Sequence, residues 1–141
     1  MSKPMSDPMH EFRTSRRIEF ADTDMGGIVH FSRFFVFMET AEHEFLRSLG
    51  AEVHMRYEGH EIGWPRVKAT CEYLSTIGFG DEIEIHVSVA RKGTKSMTYG
   101  FEFMKGETPV ARGEIIAVCC VLDDPAGIRA IEVPPIIADQ V

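Results

Sequence analysis

The apolar residues between positions 31 and 49 recur every three or four residues, which is the period of an α-helix. The residues at this spacing are Phe31, Phe34, Phe35, Met38, Ala41, Phe45, Leu46 and Leu49. Glu39, His43 and Arg47 fall on another face, so the pattern predicts an amphipathic helix with a heavy aromatic stripe. Ser32, or a residue just before it, is expected to cap the helix start, and Gly50 is expected to end the helix. At ~30 Å, a helix of this length needs a broad surface to pack against.

The second half of the chain alternates polar and apolar residues, which is typical of β-strands. The alternation predicts strands at residues 67–74, 83–89, 97–104 and 110–122. Residues 11–21 contain a further half-buried strand, and residues 78–81 and 91–94 form turns between neighbouring strands. Consecutive hairpins predict an antiparallel meander. One long helix on one face of such a sheet is an α+β architecture.

Composition describes an acidic protein of ordinary globular character. The chain has 141 residues, a net charge of −7 and a pI near 5.3, which argues for one domain and against general binding to nucleic acids or anionic membranes. Residues 1–9 are read as a flexible leader without the apolar centre of a signal peptide, and residues 10–141 as the domain. The three cysteines have no metal-site spacing and are expected to be reduced thiols, which predicts a cytoplasmic location. No apolar stretch reaches the length of a membrane span, so no membrane insertion is predicted.

The densest group of unusual residues is the segment Asp-Thr-Asp-Met-Gly-Gly-Ile-Val-His at positions 22–30. It does not fit a calcium loop, since an EF-hand would need an acid near the position of Arg33. It lacks the Gly-Lys-Ser/Thr of a phosphate-binding loop, and no second acidic cluster with a lysine supports an aspartyl phosphotransferase. Asp22 is expected to hydrogen-bond backbone amides of the turn.

Asp24 is the stronger candidate for chemistry. A carboxylate beside a helix N-terminus can act as a nucleophile or a general base, while free backbone N–H groups of the first turn polarise a carbonyl. Gly26 and Gly27 leave the approach to these amides free of side chains. The arrangement suits acyl transfer to water without a metal or cofactor.

Residues 17–31 resemble the signature of the 4-hydroxybenzoyl-CoA thioesterase family of hotdog-fold proteins. The most specific part is the Asp-Thr-Asp-x-x-Gly-x-Val core at 22–29, and the likeness extends over residues 11–136. Further matches are Phe37, Met38, Glu39, Ala41, Glu44, Leu46, Arg47, Tyr73, Leu74, Gly80, Asp81, Pro134 and Pro135. The resemblance implies a hotdog fold, with the sheet wrapped around the helix, and hydrolysis of acyl- or aroyl-CoA thioesters. A thioesterase for acyl carrier protein and a non-catalytic acyl-CoA-binding hotdog module remain alternatives.

By the same resemblance Asp24 is the catalytic carboxylate, as nucleophile or general base, and the backbone N–H of Phe31 polarises the thioester carbonyl. Gly27 belongs to the same catalytic loop. Some members carry Tyr at the position of Phe20 and His at that of Phe31, so this chain departs from them at both. His30, one position earlier, is expected to contact substrate as a shape-filling ring, since no proton-transfer role carries over to it.

Further binding residues are expected outside this loop. Arg91 and Lys92 lie on a cationic hairpin, in a region that faces the nucleotide end of coenzyme A in the family. Trp64 is a candidate for the pocket wall. Hotdog relatives build the site where two sheets pair edge to edge, so a homodimer or homotetramer is predicted.

Overall fold

The computed structural model describes residues 11–141, and the predicted leader at 1–9 lies outside them. A long helix, α1 (Arg33–Ser48), packs on an antiparallel sheet, so the α+β prediction is confirmed. The strands are β1 Glu11–Arg17, β2 Met55–Tyr57, β3 His60–Gly63, β4 Arg66–Tyr73, β5 Glu82–Lys92, β6 Ser96–Lys105, β7 Thr108–Val118, β8 Cys120–Val121 and β9 Arg129–Ala130. A short helix, α2, covers Pro135–Ala138. None of the helices in the described part is long and apolar enough to cross a membrane.

The main sheet has the strand order β1-β5-β6-β7-β4, and β2-β3-β8-β9 form a second, smaller sheet. The predicted meander holds for β5, β6 and β7. The prediction that residues 78–81 join two neighbouring strands is wrong, because β4 pairs with β7 and not with β5. Gly78 instead bridges to Ile28, so the β4–β5 connection runs to the loop that precedes α1.

The apolar stripe of α1 faces the main sheet, as its period predicts, but Phe31, predicted as part of the stripe, lies before the helix and is exposed. Its buried side chains include Phe34, Phe37, Met38, Ala41, Phe45 and Leu46. A Cβ at Gly113 of β7 would lie 2.5 Å from the Met38 sulfur, so this glycine lets the helix approach the sheet. Gly50 has a φ of +90° and ends the helix, as predicted. Ser32 occupies the N-cap position, as predicted, but its side chain makes no cap hydrogen bond and contacts the His30 ring instead.

Several predicted element bounds move for local reasons. The first strand ends at Arg17, and residues 20–22 form a 3-10 turn, because the Asp22 carboxylate accepts the Glu19 N–H. The long last strand divides at Cys119, where β8 leaves the main sheet to pair with β3. The second sheet is absent from the sequence prediction, since its strands have only two to four residues.

Candidate active site

The segment at residues 22–30 forms a closed loop between β1 and α1. Asp24 N–H donates to the Ile28 carbonyl at 2.9 Å, and Gly27 N–H donates to the Asp24 carbonyl at 3.0 Å. Gly27 has a φ of +83°, a left-handed conformation in which an L side chain would be strained. A bridge between Thr23 and Val29 closes the base of the loop. The loop therefore has one defined shape, with Asp24 near its tip.

Asp22 anchors this loop to the rest of the molecule. Its side chain is fully buried. One carboxylate oxygen accepts the Glu19 N–H at 2.8 Å, and the other accepts Arg33 Nε at 2.9 Å and contacts Arg33 Nη2 at 2.7 Å. Its carbonyl accepts the His30 N–H at 2.9 Å. As the sequence predicts, Asp22 serves the backbone of the turn.

Asp24 has the opposite environment, because its side chain is exposed at the loop tip. Its Oδ1 accepts the Gly26 N–H at 2.8 Å, which fixes the orientation of the carboxylate. Within residues 11–141 no donor is bonded to Oδ2. The second oxygen is therefore available to a ligand or a water molecule.

The turn at residues 30–33 leaves one backbone donor unused. Three of its N–H groups are bonded: His30 to the Asp22 carbonyl at 2.9 Å, Ser32 to His30 Nδ1 at 3.2 Å, and Arg33 to the His30 carbonyl at 2.9 Å. The Phe31 N–H has no acceptor among residues 11–141. A free N–H at the start of a helix is a site for a carbonyl oxygen that becomes negative.

A cavity of about 170 Å³ brings the loop and the helix start together. Its wall is mainly apolar, and it is lined by Asp24, Ile28, Val29, Phe31, Phe34, Tyr73, Ser75, Thr76 and Ile77. The Tyr73 hydroxyl donates to the Phe31 carbonyl at 3.0 Å, and its ring meets the edge of Phe34 at 5.4 Å. Partial burial, with the neighbouring Cys71, raises the pKa of Tyr73 above its ordinary value of 10.0. Its hydroxyl is thus protonated at neutral pH.

The far wall of the cavity, formed by the β4–β5 connection, is fixed to the same loop. Val29 N–H donates to the Ile77 carbonyl at 2.9 Å. A Cβ at Gly78 would lie 2.9 Å from the Gly27 carbonyl oxygen, so only glycine permits this approach. The Gly78 N–H donates to Asp81 at 2.9 Å, and this bond, with Lys105, lowers the pKa of the Asp81 carboxyl.

The sequence-predicted site residues fall into two groups. Asp24, Gly27, His30 and Phe31 lie on one short segment, where the His30 ring stacks on Phe31 at 4.7 Å. Of the seven predicted residues, Asp24 and Phe31 line the cavity, and the other five do not. Trp64 is buried in the core, Arg91 is exposed on β5, and Lys92 donates to the carbonyls of Ala138 at 2.7 Å and Val141 at 3.3 Å. Within residues 11–141, no group of three metal-ligating side chains could hold an ion.

Sequence reasoning missed two features. Tyr73 entered only as part of a family resemblance, and its contact with Phe31 joins residues 42 positions apart. Glu42 is a fully buried carboxylate on α1, and Arg66 of β4 binds it through two nitrogens. Desolvation raises the pKa of Glu42, and Arg66 opposes that shift. The sequence signal for this burial was the position of Glu42, which follows Ala41 and lies four residues after Met38, on the apolar stripe of the helix.

Comparison with protein families matches residues 18–141 to the family described as "Thioesterase-like superfamily". A protein of Aquifex aeolicus (strain VF5) whose name calls it an esterase is 35% identical over 98 residues, 69% of this chain and 75% of that protein. The 1,4-dihydroxy-2-naphthoyl-CoA hydrolase of Synechococcus elongatus is 25% identical over 112 residues, 79% of this chain and 82% of that enzyme. The structure of 4-hydroxybenzoyl CoA thioesterase from Pseudomonas sp. strain CBS-3 matches with a TM-score of 0.79 and 23% identity, covering 94% of this chain and 99% of that one. This likeness confirms the hotdog fold.

Proposed function

The chain belongs to the thioesterase-like superfamily, and from this membership we propose that it hydrolyses acyl- or aroyl-CoA thioesters to the free acid and coenzyme A. The observation that carries the proposal is the meeting of an exposed carboxylate, Asp24, and an unbonded N–H, that of Phe31, in one apolar cavity. Two of the proteins to which the chain is similar are named for aromatic acyl-CoA thioesters. An aromatic acyl group suits the aromatic and aliphatic side chains of the cavity wall.

The reaction needs a stabilised carbonyl oxygen and an activated nucleophile. The thioester carbonyl accepts a hydrogen bond from the Phe31 N–H, which stabilises the negative charge that develops on oxygen. Asp24 then acts in one of two ways. As a nucleophile, its oxygen bonds to the carbonyl carbon, the carbon–sulfur bond breaks, coenzyme A leaves as a thiolate, and water hydrolyses the anhydride. As a general base, it takes a proton from water while the water oxygen bonds to the same carbon. The carbon–sulfur bond then breaks, coenzyme A leaves as a thiolate, and this thiolate takes the proton from Asp24.

The neighbouring residues support either route. Gly27 in its left-handed conformation adds no side chain to the loop tip, so it does not obstruct a thioester that approaches the backbone at Phe31. The His30 ring accepts the Ser32 N–H through Nδ1, and it stacks on Phe31. The opposite face of the ring and its Nε2 edge are therefore available to substrate, while Nδ1 is already bonded.

Coenzyme A also presents phosphates, and Arg91 is the leading candidate to bind them. Arg91 is exposed on β5 near the hairpin with β6. Lys92 contributes charge at the same place, although its ammonium group is hydrogen-bonded to C-terminal carbonyls. Because the Lys92 ammonium group is already bonded, phosphate binding is assigned mainly to Arg91.

The proposed enzyme acts as a homodimer or a homotetramer. β4 is an edge strand of the main sheet, and its residues are largely exposed. Apolar side chains at this edge include Val67, Tyr73 and Leu74. An unpaired edge strand with apolar side chains is a template for pairing with another chain. Because Tyr73 also lines the cavity, pairing at β4 would place a second protomer next to the site.

Replacement of Asp24 by Asn tests the proposed function. The Asp24→Asn variant keeps the size and the Gly26 hydrogen bond but loses the charge, so kcat should fall by roughly 10²–10⁴-fold. Activity is measured as thiol release from benzoyl-CoA, 4-hydroxybenzoyl-CoA, several aliphatic acyl-CoAs and an acyl carrier protein thioester. Melting temperatures should match that of the wild-type protein.

The matched control is Asp139→Asn, the same change at an exposed position near the C-terminus. Asp22→Asn is unsuitable as a control, since Asp22 is buried against Arg33. No turnover of any thioester by the wild-type protein would refute the function, and a near-normal kcat for Asp24→Asn would refute the role of Asp24. A single turnover in ¹⁸O-labelled water tests the nucleophilic route, because label enters Asp24 only when water opens an anhydride at the aspartyl carbonyl.

A further inference from the structure

The carbonyl of Phe31 is held by a side chain from a distant strand. Phe31 precedes α1 by two residues, and the Tyr73 hydroxyl at the end of β4 donates to its oxygen at 3.0 Å. If the helix began earlier, the Phe31 carbonyl would accept the N–H of Phe35, four residues later. That N–H donates instead to the Ser32 carbonyl at 3.2 Å. Tyr73 therefore supplies the donor that the helix itself does not supply.

This contact completes the restraint of the two peptide groups around Phe31. In the peptide before it, the His30 carbonyl accepts the Arg33 N–H at 2.9 Å. In the peptide after it, the Ser32 N–H is bound by His30 Nδ1, and the Phe31 carbonyl is bound by Tyr73. The Phe31 N–H, which has no acceptor among residues 11–141, belongs to the first of these peptides. The bond from Arg33 holds that peptide plane, and Tyr73 holds the next one, so together they restrain the backbone angles of Phe31.

Tyr73 is itself well placed to act as a rigid support. Its ring packs edge-on against Phe34, and Phe34 packs in the same way against Phe103 of β6, at 5.4 Å in both pairs. Since the pKa of Tyr73 is raised above 10.0, its hydroxyl remains a donor over the whole neutral pH range. Tyr73 also lines the cavity that contains Asp24.

We propose that Tyr73 is a positioning residue for thioester hydrolysis, because its hydroxyl holds the Phe31 carbonyl, restrains the Phe31 backbone angles and so keeps the adjoining N–H directed at the thioester carbonyl. The inference rests on the proposed function. Tyr73 acts through the backbone and transfers no proton. Its contribution therefore lies in polarisation of the carbonyl, and it should appear in kcat rather than in KM.

The kinetic test is Tyr73→Phe, which keeps the ring and removes only the hydroxyl. We expect kcat for benzoyl-CoA to fall ~10-fold, less than the loss of an oxyanion donor itself, while KM stays within about twofold. The pH dependence of kcat should be unchanged, because the variant removes no titrating catalytic group. Tyr57→Phe, the same change on β2, is the control and should match the wild-type protein. Equal kcat for Tyr73→Phe and the wild-type protein, or a loss confined to KM, would overturn the proposal.

A spectroscopic test measures how strongly the Phe31 N–H polarises a bound thioester carbonyl when no turnover occurs. Benzoyl-CoA labelled with ¹³C at its carbonyl is bound to Asp24→Asn and to Asp24→Asn/Tyr73→Phe, and the carbonyl stretch is recorded by infrared difference spectroscopy. The expected result is a shift to lower frequency in the first variant and less than half of that shift in the second. An equal shift in both variants contradicts the proposal.

Amide hydrogen exchange separates this proposal from the proposed function. In the ligand-free protein, NMR should show the Ser32 amide, which is bonded to His30 Nδ1, exchanging faster in Tyr73→Phe than in the wild-type protein, with the Val87 amide of the sheet unchanged. If this change is found but no thioester is turned over, the proposed function is refuted and the restraint by Tyr73 stands. Unchanged exchange at Ser32 would refute the restraint even if turnover is found.

Discussion

Two acids separated by one residue, Asp22 and Asp24, have different roles because their surroundings differ. Asp22 is fully buried and bonded to Arg33 and a backbone amide, so its carboxylate is committed to structure. Asp24 is exposed and uses only one oxygen for the loop. Their sequence context supported this division, because only the second acid is followed by the two glycines. The partner of Asp22 was not predictable, since Arg33 reaches it only after the chain has turned into α1.

At the same scale, Arg91 and Lys92 can be distinguished by one kinetic experiment. Arg91→Ala should raise KM for a coenzyme A thioester by ~5-fold with kcat nearly unchanged, which is the pattern for lost uniform binding. The effect should shrink at high ionic strength, since exposed charges are screened over ~8–10 Å. Lys92→Ala should mainly lower the melting temperature, because it frees the carbonyls of Ala138 and Val141. An equal rise in KM for a pantetheine thioester, which lacks the nucleotide phosphates, would contradict phosphate binding by Arg91.

At the scale of elements, one buried ion pair joins the long helix to the edge strand. Glu42 of α1 is fully buried, and Arg66 at the start of β4 binds it through two nitrogens. Glu39 lies 3.7 Å from the same guanidinium. A buried carboxylate that loses its partner is costly, whereas an apolar replacement of both partners is often tolerated. The pair therefore fixes how β4 sits against α1.

The Arg66→Met variant tests this link. Removing the guanidinium should cost about 3 kcal/mol of unfolding free energy at neutral pH, measured by urea denaturation. Burial raises the pKa of Glu42 above 4.5 in the folded protein, and without Arg66 nothing comparable opposes that shift. Folding then favours the protonated carboxyl, so the deficit should shrink as pH falls through the raised pKa and level off below about 4.5. Glu42→Leu/Arg66→Met should recover much of the loss. A deficit that grows on acidification would contradict this account.

The elements themselves were predictable to different degrees. The helix and the strands β5, β6 and β7 have long, regular patterns, and the structure confirms them. The position of β4 was not predictable from hairpin turns, because the bridge between Gly78 and Ile28 diverts the connection. The second sheet has strands of at most four residues, too short for a periodic signal. Cys119 divides the last strand by a change of partner sheet, which local alternation does not reveal.

At the scale of the whole molecule, β4 should pair with a second copy of the chain. Size-exclusion chromatography with light scattering is expected to show a dimer or tetramer at micromolar concentration. Val67 is a bulged, 62% exposed residue of β4, and Val67→Glu would place like charges at the pairing edge. The Val67→Glu variant should be monomeric, and it should lose activity to the same extent as it loses assembly. Ile128→Glu, the same kind of change at another exposed apolar residue, should remain assembled. A stable and active wild-type monomer would rule out this assembly.

The loop closed by the Thr23–Val29 bridge has a consequence for how the enzyme can diversify. Asp24 and Phe31 lie within one segment of eight residues, and the backbone hydrogen bonds at the loop tip, from the Asp24 and Gly27 N–H groups, lie within the same segment. Closing so short a stretch costs little chain entropy, and its contacts are local. The cavity wall facing it comes from residues 75–77, more than forty positions later. Side-chain substitutions there leave the backbone bond between Val29 and Ile77 in place, so they should change the acyl group that is accepted while the proposed reacting groups keep their geometry.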